Sequence, residues 1–208
     1  MDYTTHLTQL EQKGQELYGP HFRLYPSDRP LLQKLFAFFL RDQEEADRLH
    51  IDLYKGILLT GPIGTGKTSL ITLMRYFQTP QPRFAVKSCR EVTFEFIKDG
   101  YQVIQKYSSQ SFAPTYPIPH DPRKPIAYCF DDLGTESAIK HYGNETNVMG
   151  EILLSRYDHF ITNRMITHVT TNLSAGELET LYGNRLRSRM REMFNLVAFD
   201  KEGSDKRK

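Results

Sequence analysis

Eight consecutive residues, Gly61-Pro62-Ile63-Gly64-Thr65-Gly66-Lys67-Thr68, fit the pattern G-x-x-x-x-G-K-[ST] without deviation. Glycines at these places let the backbone bend tightly, so that successive N–H groups point at phosphate oxygens. Lys67 reaches the β- and γ-phosphates of a nucleoside triphosphate, and the Thr68 hydroxyl sits on Mg²⁺. Ser69 follows in the same turn. Three further clusters bear on the same chemistry. Asp131 and Asp132 follow the apolar run Ile126-Ala127-Tyr128-Cys129-Phe130. A carboxylate at such a strand end holds Mg²⁺ through water, and the next one can orient or deprotonate an attacking water. Asn172 closes another β-branched run and is placed to hydrogen-bond that water or the γ-phosphate; an ordinary strand-ending asparagine has the same pattern. The stretch Arg185-Leu186-Arg187-Ser188-Arg189-Met190-Arg191 reads in two ways: a solvated helix face, or an arginine finger given to a neighbouring subunit's nucleotide. A guanidinium on the γ-phosphate stabilises charge spread over its oxygens, with Arg189 the first candidate and Arg185 the second.

These groups need a frame that brings strand ends together. Gly56-Ile57-Leu58-Leu59-Thr60 reads as a buried parallel strand, and Thr68 to Phe77 as a helix whose N-terminus faces the phosphates. Strands are further expected at 83–88, 126–130, 165–171 and 194–199, and helices at 91–107, 144–157, from Ser174 and over 182–193. Strands alternating with helices give an α/β protein with a parallel sheet covered on both faces. Ligands then bind at the C-terminal ends of the strands. Ahead of the first strand, residues 5–18 and 28–40 read as helices, the first interrupted by Gly14. The second carries Leu31, Leu32, Leu35, Phe36, Phe38, Phe39 and Leu40, a stripe wide enough for core and also suited to a docking face. Residues 108–125 hold five prolines and read as a long surface loop.

The 208-residue chain suits one such domain with a short appendage. A net charge of +2 leaves no broad basic footprint, so nucleic acid would be met by a local patch. Cys89 and Cys129 are too few for a disulfide framework or a zinc site, and Cys129 reads as a small core residue. No apolar stretch reaches transmembrane length and the N-terminus lacks a signal-peptide pattern, so a reducing cytoplasm is the expected compartment.

Four segments together resemble the AAA+ ATPases, in the branch of DnaC-type helicase loaders and IstB-type transposition ATPases. They are Lys55 to Gly61 leading into the P-loop, Asp131-Asp132-Leu133-Gly134-Thr135-Glu136, the stretch from Arg156-Tyr157 to Thr171-Asn172-Leu173, and Tyr182 to Met190. The resemblance implies a three-layer αβα core with a five-stranded parallel sheet and a reduced lid, over residues 55–208, preceded by an N-terminal helical segment at 1–54. It implies ATP and Mg²⁺ as cofactors, with Gly61 to Ser69 binding the nucleotide. Thr68 and Asp131 would hold the metal, Asp132 and Asn172 would act on the water, and Arg189 and Arg185 would serve as fingers. Arg207, in a closing Gly-x-x-x-Arg segment, matches a second sensor. It further implies slow ATP hydrolysis, ATP-dependent homo-oligomers with nucleotide sites between subunits, and no membrane. A replicative helicase or a transposase is the implied protein partner; known loaders grip the helicase with a separate N-terminal domain, a role that would here fall to the helices at 5–18 and 28–40. Single-stranded DNA is the implied nucleic acid; Lys140, His141 and Arg164 are candidates for its contact, or plain solvated charges. Other classes compatible with a P-loop are a small-molecule kinase and a non-hydrolysing nucleotide-binding scaffold.

Overall fold

The computed structural model describes residues 3–78, 83–113, 124–136, 139–141 and 144–200. Arg207 and the side chains of Lys140 and His141 lie outside the described residues.

Helix α1 (Thr4–Tyr18) runs straight through Gly14 and stops at Gly19, whose φ of +97° ends the helical path. Pro30 stands in the first turn of α2 (Arg29–Phe39), where its missing N–H costs nothing. A short helix α3 (Gln43–Arg48) follows, capped by Asp42, whose Oδ1 accepts the Glu45 N–H at 3.1 Å. Next come β1 (Gly56–Thr60), α4 (Lys67–Met74) and β2 (Ala85–Ser88). The helix expected over 91–107 is two, α5 (Cys89–Asp99) and α6 (Gln102–Tyr107), because Gly100 takes φ +63° between them. Strand β3 (Tyr128–Leu133) begins later than expected and continues through both aspartates. Strands β4 (Ile139–His141) and β5 (Asn144–Thr146) pair antiparallel, and β5 occupies the start of the segment read as helix. Helix α7 (Val148–Asn163) therefore starts only after Asn147, whose side chain caps it. Strand β6 (Thr167–Thr171), helix α8 (Ala175–Met193) and strand β7 (Phe194–Ala198) complete the order.

Five strands form one parallel sheet in the order β2-β3-β6-β1-β7. Crossovers between non-neighbours in sequence are what α/β chains use to keep strands parallel. By its contacts the chain divides into two compact units.

The first unit comprises Met1–Leu53, Leu59–Arg83 and Asn195–Lys208. Within it α1 and α2 pack on α4. The apolar stripe of α2 is buried from Leu31 to Phe39, so it builds this unit's core. Phe36 meets Phe77 edge-on at 5.2 Å and Tyr3 at 5.4 Å. Each such side chain contributes about 1.5–3 kcal/mol by leaving water.

The second unit comprises Tyr54–Leu58 and Phe84–Phe194. Its core joins Phe130 and Val169 of β3 and β6 with Phe96, Ile152, Leu153 and Leu186 of the helices α5, α7 and α8. Parallel pairing sets Ser88 opposite Asp131 and Leu133 opposite Thr171, with a register shift between Phe130 and Leu133. His168 is buried on β6, its Nδ1 accepting the Ile57 N–H at 3.1 Å and its ring 4.7 Å from Phe84. Burial, then the nearby Arg156 charge, pushes the imidazole down to about 3, so it is neutral.

Candidate nucleotide and hydrolysis residues

Strand β1 leads into the P-loop, whose residues lie in the first unit, and α4 begins at Lys67. Gly64 and Gly66 take φ of +84° and +87°, a left-handed conformation that costs other residues about 1–2 kcal/mol. A Cβ built at Gly61 would lie 2.7 Å from the Cβ of Phe199, so the entrance to the loop admits glycine only. The Lys67 side chain is buried and curls over the loop, its Nζ donating to the carbonyls of Gly61 and Pro62 at 2.8 Å each. Thr65 Oγ1 donates to the Pro62 carbonyl at 2.9 Å and closes the turn. Thr68 is exposed in the first turn of α4, Ser69 is half-buried, and a Cβ at Gly66 would meet nothing within 4 Å. These residues fit a nucleotide's phosphates: an open loop at a helix N-terminus, one ordered cation and one exposed hydroxyl.

In the second unit the acidic pair is held by a residue that sequence reasoning missed. Thr170 Oγ1 donates to Asp131 Oδ1 at 2.6 Å and accepts the Asp132 N–H at 2.9 Å. One hydroxyl thus fixes both aspartates from the neighbouring strand. Asp131 is 8% exposed. Asp132 takes φ +56° inside the register shift, so the strand bulges and the residue leaves the ladder. Aspartate tolerates this left-handed state better than most residues, and such outliers concentrate where a side chain must be aimed. In sequence Thr170 reads only as a β-branched strand former. Nothing but its place one residue before the end of β6 hinted at a second role.

Asn172 follows β6 and is exposed, beside the end of β3, where Thr171 Oγ1 donates to the Leu133 carbonyl at 2.6 Å. Asp131, Asp132 and Asn172 are therefore grouped at the C-terminal ends of adjacent parallel strands. Beyond Asp132, the Glu136 carboxylate accepts the Gly134 N–H at 2.9 Å and the Tyr182 hydroxyl. Burial, then that carboxylate, raises the Tyr182 phenol far above its ordinary value, so it remains a donor.

Helix α8 breaks at Gly183, where φ +82° and ψ 159° separate two helical halves. Ser174 and Glu177 form a capping box on the first half. The second half carries the arginines. Arg185 is exposed, Arg187 pairs with Glu179, and the Arg189 guanidinium lies over the Tyr157 ring, 4.7 Å from its centroid. Arg164 ends α7 in a left-handed conformation, 6.0 Å over Tyr54. Among the described residues no group of three metal-ligating side chains occurs, and no helix is long and apolar enough to cross a membrane.

No protein-family model matches the sequence, and no curated protein matches it. Solved structures do. The chain is similar to the DnaC helicase loader, with TM-score 0.59 and 16% identity over 92% of this chain and 99% of that one. It is similar to a putative primosome component from Streptococcus pyogenes serotype M3, with TM-score 0.52 and 16% identity, covering 86% and 83% of the two chains. A DNA replication initiation factor gives TM-score 0.54 at 15% identity, over 86% of this chain and 48% of that one. At such identities the likeness is one of fold: the chain shares the α/β architecture of the DnaC helicase loader along almost its whole length.

Proposed function

We propose that the chain is an ATP-binding and ATP-hydrolysing AAA+ switch serving DNA replication, which assembles through nucleotide sites between subunits. The observation that carries this reading is a complete P-loop, with Lys67 seated in the loop, in a chain that shares a helicase loader's fold along almost its whole length. Bound ATP with Mg²⁺ would supply a phosphoanhydride whose cleavage drives the switch. Gly61 to Ser69 would cradle the phosphates by their N–H groups. Thr68 and Asp131 would hold the metal. Asp132, turned out of the ladder by its bulge, would take or orient the proton of a water, and Asn172 would align that water. Arg189 would reach a nucleotide on the next subunit, with Arg185 beside it. The ordered Thr170 hydroxyl supports these roles, because it would keep Asp131 an acceptor and fix Asp132 without further reorganisation. A replicative helicase is the first partner to test, given the named neighbour, and single-stranded DNA the first nucleic acid. Arg207 remains a candidate sensor.

The test is ATPase rate per subunit as protein concentration rises, with Lys67→Ala and Arg189→Ala alongside. Wild-type specific activity should climb with concentration. Lys67→Ala should lose ATP binding. Arg189→Ala should bind ATP yet lose about 10³-fold or more in rate. A specific activity flat with concentration and indifferent to Arg189 would overturn assembly through a shared site.

A further inference from the structure

The arginines of α8 have different surroundings, and the difference singles out a residue on another helix. Arg187 is neutralised by Glu179 and Arg185 stands in solvent. Arg189 is half-buried, ordered by the Tyr157 ring at 4.7 Å, and makes no ion pair among the described residues. A carboxylate is nevertheless within reach. Glu192 lies three residues on, the spacing at which helical Arg and Glu side chains meet. Its Oε2 instead accepts the Tyr157 hydroxyl at 2.8 Å. That bond also raises the Tyr157 phenol above its ordinary value, so the hydroxyl stays protonated and keeps donating.

We infer that Tyr157 is the positioning residue for Arg189. Its ring face orients the guanidinium, and its hydroxyl occupies Glu192, which would otherwise neutralise it. A contact made to the ring face leaves the guanidinium's N–H groups without an ion-pair partner among the described residues, and these are the groups that recognise a phosphate. The platform sits on α7 and is anchored to α8 at Glu192, so the arginine's direction is set by two packed helices. This inference rests on the reading of Arg189 as a finger.

The experiment measures kcat, KM for ATP and thermal stability at assembling concentrations for Tyr157→Leu, Tyr157→Phe, Glu192→Gln, the double variant Tyr157→Phe/Glu192→Gln, and Arg189→Ala. Tyr157→Leu should lower kcat by about threefold to thirtyfold with KM nearly unchanged, the range of a cation–π contact. In a further double variant, Tyr157→Leu/Arg189→Ala, it should have little effect beyond that of Arg189→Ala. Tyr157→Phe keeps the ring but releases Glu192, and should lower kcat by a smaller factor. Adding Glu192→Gln to Tyr157→Phe should restore the rate towards wild type. A merely structural tyrosine predicts the reverse, since a second lost contact would only do more damage. If Arg189→Ala abolishes turnover while Tyr157→Leu matches wild type, the finger stands and the positioning role falls. The positioning role falls equally if Glu192→Gln fails to rescue Tyr157→Phe. If Arg189→Ala has no effect, the finger reading itself falls, and this inference with it.

Discussion

Arg156 and Tyr157 are neighbours in sequence on α7 and face opposite worlds. Arg156 is wholly buried and Tyr157 carries Arg189 at the surface. Both arginines lie over aromatic rings, Arg156 at 5.4 Å from Tyr128 and 5.7 Å from Phe130. Their N–H groups differ completely. Arg156 donates to the carbonyls of Tyr107, Ile126 and Ile166 at 2.8, 3.1 and 2.9 Å, to Thr167 Oγ1 at 2.7 Å and to Ser111 Oγ at 3.4 Å. No carboxylate is among these partners, and burial alone pulls its pKa down to about 9. A buried cation survives only when its donors are all used, and using them makes it architecture. Here it ties the residues that flank segment 114–123 to the start of β6. An arginine with its N–H edge unused can instead receive an anion from outside.

The contrast is broken most directly by removing the buried member. Arg156→Met keeps the apolar stem but leaves three buried carbonyls without their donor. It should destabilise the fold by about 3–5 kcal/mol, the range for breaking a buried charged network. Arg156→Lys should lie between, because an ammonium has three donors against five and no plane to lay on Tyr128. Urea unfolding midpoints read both. A Met variant as stable as wild type would mean that the network only balances its own desolvation cost.

His168 sharpens the same side of the comparison. Its folded pKa of about 3 lies below the ordinary value of 6.5, so the unfolded chain binds the proton more tightly. Stability from this group is complete above pH 6.5 and is lost as the pH falls towards 3. The slope should approach about 1.4 kcal/mol per pH unit in that window. Protonation would also set a second cation near Arg156, beside Ile57 and Phe84. His168→Asn keeps an acceptor where Nδ1 stood and removes the titration, so its stability should be much flatter from pH 6.5 to 4.5. An equal acid slope in that variant would assign the effect to carboxylates elsewhere.

The two sides were unequally legible in the sequence. The loop at 61–68 could be read because glycine spacing and flanking periodicity are local, and β1 and α4 flank it as expected. Asp131, Asp132 and Asn172 could be placed because a polar residue ending an apolar run is also a local signal. Thr170 and Arg156 could not, since a strand threonine and a helix arginine carry no mark of burial. Their roles depend on which strand lies alongside, a fact of topology. Tyr157 escaped for the same reason, its partners lying more than thirty residues on. Gly100 and Gly183 show a further limit. Each was included in or beside a helical run, yet each takes a positive φ that splits it. One glycine costs a helix about 1 kcal/mol, too little for sequence to decide between tolerance and a break.

The smallest expected effect falls on the other arginine. Arg189→Ala removes one half-exposed cation–π contact and no ion pair, so unfolding free energy should change by about 0.5–1 kcal/mol at most. Its whole consequence should then appear in turnover at assembling concentrations, while Arg156→Met loses stability first and activity only through it. Measuring both variants by urea unfolding and by ATPase rate at one temperature puts the two arginines on common axes. If Arg189→Ala destabilises the fold as much as Arg156→Met does, the surface arginine is architecture as well. Its exposed N–H edge would then be incidental to packing between α7 and α8, and the distinction between a satisfied and a poised guanidinium would fail.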